Sequence, residues 1–189
     1  MLADGKSAPR LIPEGAAEEY PRQAETSGEL RRCTNAALGY LSYRPRSATE
    51  LRQRLGQRGF SPEVREAVIS QLTEQKLLDD PAFAQFWKDN REAFRPQSRR
   101  LTRLELKRKG IADEVIDRVV GEVDDEANAH RAALSRMRQL ARADYVTFRR
   151  RLGGYLQRRG FSSSVIRRTL ERVWEEQMGQ DSRSQPGLQ

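Results

Sequence analysis

Apolar positions in this 189-residue chain recur every three or four residues and nowhere alternate over the length of a strand, which predicts helices and no sheet. The pattern is itself repeated. Residues Leu51–Val64, Thr102–Val115 and Leu152–Val165 superimpose without a gap, with Gly59, Gly110 and Gly160 standing 51 and 50 residues apart. Leu55, Leu106 and Leu156 precede these glycines by four residues. Ile69, Val120 and Leu170 follow them by ten, and Leu72, Val123 and Val173 by thirteen. Such a period marks a fold built from one supersecondary unit used several times.

Each copy reads as helix, turn, helix. The first helix ends at the glycine, which reaches the left-handed conformation at low steric cost. A large apolar residue follows (Phe60, Ile111, Phe161) and pins the turn to the core. Ser61 before Pro62, and Ser162 in the third copy, read as N-caps of the next helix, whereas Ala112 is a poor cap. Val64, Val68, Ile69 and Leu72 then form one apolar face. A further helical stretch precedes each copy: 33–43 with Leu38 and Leu41, 81–94 with Phe83, Phe86 and Trp87, and 125–141 with Leu134 and Met137. Asp80 and Pro81 are read as cap and first helical residue of the second of these. Ser47-Ala48-Thr49-Glu50 fits a capping box for the helix bearing Leu51. The expectation is all-α: about nine helices in three units, 31–79, 80–124 and 125–177. Residues 1–30, with Pro9, Pro13, Pro21 and little periodicity, are expected to stay disordered, and 178–189 to form a flexible tail.

Charge adds a location to this picture. Lys and Arg outnumber Asp and Glu by 35 to 27, a net of +8, but residues 1–30 carry −3 and the remainder therefore +11. Residues 142–177 alone supply +5. A basic body fits contact with nucleic acid or an acidic protein surface, or else a solvated arginine-rich helical face. Arg58, Lys109 and Arg159 each stand immediately before a repeat glycine. Arg99, Arg100, Arg103, Lys107 and Arg108 add to the second copy, and Arg149, Arg150, Arg151, Arg158, Arg167, Arg168 and Arg172 to the third. Recurrence at one repeat position favours a ladder of cations for phosphates or carboxylates over scattered solvated side chains.

Catalytic chemistry finds little material. The sole histidine, His130, has no nucleophile identifiable beside it and reads as a solvated helix residue. Cys33, the only cysteine, is either a structural thiol or one acidified by Arg31 and Arg32, and it excludes an intramolecular disulfide. Asp79-Asp80 and Asp124-Asp125-Glu126 lie where carboxylates oppose helix dipoles, a better account of them than divalent-ion binding. Gly153-Gly154 inside a helical pattern points to close helix contact or local weakness. Trp87 and Trp174 fall on apolar helical positions and read as core residues. No enzyme, metal site or cofactor is expected. Without a secretory pattern or an apolar run near the ~20 residues of a membrane span, the expected compartment is the cytoplasm.

Over residues 34–177 the chain resembles the RecX regulatory family. The resemblance rests on Ala37-Leu38-Gly39-Tyr40-Leu41, Arg46-Ser47 with Glu50-Leu51, and Leu78-Asp79-Asp80-Pro81-Ala82-Phe83-Ala84. It continues through Arg91, Leu104-Glu105-Leu106-Lys107-Arg108-Lys109-Gly110-Ile111 and Tyr155-Leu156-Gln157-Arg158-Arg159-Gly160-Phe161. Pro96-Gln97-Ser98 departs from the glycine-proline pair that relatives often carry there, which leaves that loop open. The resemblance implies three tandem three-helix units in an elongated, curved array, in which each unit contacts only its neighbours. It implies a monomer that binds the RecA filament on single-stranded DNA, with double-stranded DNA a further candidate partner. Lowered ATPase, strand-exchange and co-protease activities, and control of DNA repair and the SOS response, would follow. The alternative is a basic helical module acting mainly by direct DNA binding.

Overall fold

The computed structural model describes the backbone of residues 16–140 and 143–183 and the side chains of residues 27–140 and 143–178. Every regular element among them is an α-helix. The helices are α1 (Ala16–Tyr43), α2 (Ala48–Gln57), α3 (Pro62–Glu74), α4 (Asp80–Phe94), α5 (Arg99–Arg108), α6 (Asp113–Gly121), α7 (Asp125–Leu140), α8 (Tyr145–Arg158) and α9 (Ser163–Arg183). They fall in sequence into three three-helix units. The segment expected to lack structure is corrected in part: α1 already runs from Ala16, and α9 continues to Arg183. Residues 1–15 and 184–189 lie outside the described residues.

The helices gather into two compact bodies, one holding α1 with Leu51–Leu78, the other Pro45–Glu50 with α4 to α9. In the first, α1 packs on α3 around Cys33, Ala37, Leu51, Leu55, Val68 and Leu72. Glu29 reaches the next turn, accepting the backbone N–H of Ser61 at 2.8 Å and its hydroxyl at 3.3 Å. Ser61 therefore stands at the N-cap position of α3 but makes no cap bond with its own side chain. Arg52 grips Glu66 through Nε (2.6 Å) and Nη2 (2.9 Å). The Cys33 thiol is fully buried, and burial, reinforced by Glu29 against the pull of Arg65, pushes it up from its ordinary value. It is a structural thiol, not an acidified one.

In the second body, Phe83, Leu106, Ile111, Ile116 and Val120 form a core under α4, α5 and α6. A separate core under α7, α8 and α9 holds Ala132, Ala133, Phe148, Leu152, Leu156, Phe161 and Val173. The apolar faces differ from the expected ones at three places. Leu38, Phe86 and Leu134 remain 40–48% exposed, and small residues (Ala37, Ala84, Ala132, Ala133) make the contacts instead, because close-packed helices leave room for methyl groups only. Asp79, not Asp80, caps α4 by accepting from Ala82 N–H at 2.8 Å, while Asp80 accepts from Ala48 N–H at the same distance. His130 is not solvated: its Nε2 lies 2.9 Å from Glu176, and the bonds from His130 and Arg172 hold that carboxyl below its usual range.

A polar network ties α4 to α5. Glu105 accepts from Trp87 Nε1 (2.8 Å), Arg91 Nε (2.8 Å) and Gln97 Nε2 (2.9 Å). Burial pushes the Glu105 carboxyl up, but the bonds from Arg91, Gln97 and Trp87 outweigh it and hold the group below its usual range. The Pro96-Gln97-Ser98 loop is thereby fixed: Gln97 is buried, and Ser98 caps α5 through Leu101 N–H.

Two of the three glycine turns receive a helix start from elsewhere in the chain. Ser47 caps α2 through Glu50 N–H (3.1 Å) and donates its hydroxyl to the Lys109 carbonyl (2.7 Å). Ser98, at the same repeat position, donates its backbone N–H to the Arg159 carbonyl (3.0 Å). Gly59, Gly110 and Gly160 all have φ between 75° and 83°. A Cβ on Gly110 would collide with Thr49, and one on Gly160 would lie 2.6 Å from Ser98 Oγ and 3.0 Å from Leu101 Cβ, whereas one on Gly59 would meet nothing within 4 Å.

These contacts set an order of tolerance. Gly59→Ala should lower the unfolding free energy by about 1–2 kcal/mol through backbone strain alone. Gly110→Ala and Gly160→Ala should each lose at least about 1 kcal/mol more, because a packed neighbour must move. Equal shifts of the urea midpoint at all three sites would contradict the docked geometry. A second test concerns Glu105, whose folded pKa is depressed. Its stabilisation is present above the unfolded carboxyl pKa of about 4.3 and is lost as pH falls through the folded value. Glu105→Gln should cost on the order of 2 kcal/mol at pH 7, and the difference from the parent chain should shrink as melts are repeated below about pH 4.

Candidate binding surface

The cations singled out in the sequence separate into two groups once the helices pack. One group is engaged. Arg99 donates to the Val123 carbonyl (2.7 Å), and Arg103 pairs with Asp117 and Lys107 with Asp113. Arg168 pairs with Glu126, and Arg172 with Glu176 one helical turn away. Lys109 is paired with Glu50 at 2.5 Å and lies 3.9 Å from the centre of the Trp87 ring. Arg159 donates to the Pro96 carbonyl (3.3 Å) and sits 5.0 Å over the Tyr155 ring. Two of the three turn cations are therefore engaged internally. Lys109 and Arg159 brace the docked turns, and only Arg58 stands exposed.

The other group has no ion pair or hydrogen bond among the described residues: Arg58, Arg100, Arg108, Arg149, Arg150, Arg151, Arg158 and Arg167. Most of these lie on the third unit. Arg149, Arg150 and Arg167, with Arg100 from α5, border an open groove of about 1090 Å³ between α8 and α9. Arg151 and Arg158, with Arg136 from α7, surround a smaller hollow of about 230 Å³ beside Tyr155. Arg136 lies 4.7 Å over that ring and was not among the cations read from the sequence, because the arginines of α7 lie outside the aligned repeat segments. Burial, together with the positive charges of Arg95, Arg136 and Arg91 and against the opposing pull of Tyr155, lowers the Arg159 pKa from its ordinary value. Positive charge is therefore crowded on both sides of α8, where partnerless guanidiniums are open to an external carboxylate or phosphate.

The groove also contains groups that were read differently in the sequence. Gly153 and Gly154 lie in its lining, and a Cβ on Gly153 would rest in ordinary contact with Leu170 (3.7 Å) and Ile166 (3.9 Å). Tyr145, Val146 and Ser162–Ser164 line it as well. Trp174 lies beneath, 5.0 Å from both Tyr145 and Phe148, as the apolar register required. Among the described residues no group of His, Cys, Asp and Glu is placed to hold a metal ion, and no helix is long and apolar enough to cross a membrane.

Known proteins share both the sequence and the fold. Residues 33–72, 79–120 and 124–170 match, in order, the first, second and third three-helix domains of RecX. The chain is 35% identical over 148 residues to the regulatory protein RecX of Prosthecochloris aestuarii, a match covering 78% of this chain and 97% of that protein. It is 32% identical over 166 residues to the regulatory protein RecX of Mycolicibacterium smegmatis, covering 84% and 86%. The crystal structure of RecX from Lactobacillus salivarius superimposes with a TM-score of 0.64 at 20% identity, over 78% of this chain and 97% of that one. A second RecX crystal structure gives 0.65 at 23% identity, over 87% and 78%.

The two groups of arginines should respond oppositely to neutralisation. Arg149→Gln with Arg150→Gln should leave thermal stability within about 0.5 kcal/mol, since no partner is lost. Arg159→Gln should cost about 1 kcal/mol by removing the Pro96 bond and the ring contact. Equal destabilisation by the two variants in calorimetry would mean that Arg149 and Arg150 are structural after all.

Proposed function

The chain belongs to the RecX family of regulatory proteins, and from that premise we propose that it binds the RecA filament on single-stranded DNA and lowers its ATPase, strand-exchange and co-protease activities. Control of recombinational repair and of the SOS response follows from that binding. The observation that supports it best is the concentration of unpaired arginine on the third unit, at Arg149, Arg150, Arg151, Arg158 and Arg167. A filament of protein and nucleic acid is a polyanion, and partnerless guanidiniums on helices reach carboxylates and phosphates without first breaking internal pairs. Inhibition on this reading is mechanical: the helical units occupy the filament and hold its protomers, so that extension and turnover slow. No bond of the substrate is broken by this protein.

The full chain, titrated into preformed RecA filaments on single-stranded DNA with ATP, should reduce phosphate release in a saturable way. Arg149→Gln, Arg150→Gln and Arg167→Gln together should weaken inhibition about tenfold, corresponding to loss of roughly 1.4 kcal/mol of contact energy. Arg103→Gln, which breaks only an internal pair with Asp117, should change it less than about twofold. Adding duplex DNA as a competitor separates this reading from direct DNA binding. Inhibition that survives a large excess of duplex DNA supports contact with the filament, and inhibition abolished by it leaves a DNA-binding module.

A further inference from the structure

The groove between α8 and α9 has a property that its charge does not account for. Its floor is low and apolar. Gly153 and Gly154 bring the backbone of α8 close to the surface beside Ile166 and Leu170, and a Cβ on Gly154 would meet only the Arg158 guanidinium at 3.5 Å. At the mouth, Val146 is 74% exposed. The cations Arg100, Arg149, Arg150 and Arg167 complete the lining. Apolar surface accompanied by charge fits a protein interface, where an anchor side chain fills the centre and polar groups close the rim.

A channel for single-stranded nucleic acid is built otherwise, with aromatic faces open for base stacking along a basic track. The rings that line this groove form no such track: Phe161 is buried, and Tyr145, 41% exposed, is a single ring packed against Trp174. A partner of mixed character, with carboxylates to meet the arginine forks and an apolar side chain to lie over the glycines, meets the arginines and the apolar floor at once.

We infer that the α8–α9 groove is a docking site for an acidic amphipathic segment of a protein partner, seated with an apolar anchor over Gly153 and Gly154 and carboxylates on the arginines. This rests on the regulatory function proposed above and assigns the groove to protein rather than to DNA contact.

The probes are a fluorescein-labelled 18-residue helical peptide with Leu and Glu at helical spacing, its companion with every Leu replaced by Ala, and a labelled oligothymidylate. Gly154→Met fills the floor at unchanged charge and replaces the poorest helix former after proline with a good one. The Leu/Glu peptide should bind the full chain in fluorescence anisotropy, and Gly154→Met should weaken it at least about tenfold. The alanine companion should bind no better to the parent chain than the Leu/Glu peptide binds to Gly154→Met. Oligothymidylate binding should change less than about twofold with Gly154→Met, because phosphate contacts are unaffected by an added thioether. Val146→Glu, at an exposed position, serves as a second variant with the same expected loss of the peptide, and circular dichroism checks that both fold. Equal peptide binding by the parent chain and a folded Gly154→Met or Val146→Glu overturns the inference. So does an alanine companion that binds as well as the leucine peptide, or a Gly154→Met variant that loses oligothymidylate as severely as peptide. Measuring RecA ATPase alongside separates the two levels. Undiminished inhibition by Gly154→Met removes the groove and leaves the family function standing. A parent chain that fails to inhibit removes the RecA reading, while the peptide arm still decides the groove.

Discussion

The fold depends on a steric requirement that a glycine meets in each unit: a helix must end in the left-handed conformation so that the chain can turn back under its own apolar face. At Gly110 and Gly160 the same glycine meets a second requirement, since the space where a Cβ would lie is filled by Thr49 or by Ser98 and Leu101. The backbone carbonyls beside these turns, on Lys109 and Arg159, accept hydrogen bonds from Ser47 and Ser98. Helix ends leave carbonyls and amides without partners, and here the C-terminal end of one helix is satisfied by the residue capping another.

That docking explains the fate of the most regular feature of the charge pattern. A cation directly before the glycine is carried close to the docked segment, so Lys109 meets Glu50 and Trp87, and Arg159 meets Pro96 and Tyr155. At Gly59 no described residue lies within 4 Å of where a Cβ would be, and Arg58 is exposed. At two of the three turns the recurring cation thus makes an internal contact. The partnerless cations without that regularity crowd on the flanks of α8.

The third unit leaves five of its arginines without a partner among the described residues, whereas the second unit engages Arg99, Arg103, Lys107 and Lys109 internally and leaves Arg100 and Arg108 unpaired. Arg103, Lys107 and Arg99 each find an acceptor within α5, α6 or the residues that follow them. On α8 there is no acidic residue between Tyr145 and Arg158, so Arg149, Arg150, Arg151 and Arg158 have no local carboxylate. The absence of i,i+4 partners leaves these side chains available, and the glycine pair beside them lowers the surface between the charges.

How much was legible follows from range. Helices, glycine turns and the three-unit repeat are set by neighbours a few residues apart, so periodicity and aligned glycines were enough to read them. Cap identities, decided by one hydrogen bond, were read less well, as Asp79 and Ser61 show. The arginine-rich character of the third unit was also plain. Which arginines remain unpaired was not, because Arg168 meets Glu126 across 42 residues and Lys109 meets Glu50 across 59. A guanidinium is free or engaged according to which carboxylate the packing brings within about 4 Å, and no local pattern encodes that distance. The sequence by itself determined the helices and their repetition; only the tertiary structure decided where their charge is left unspent.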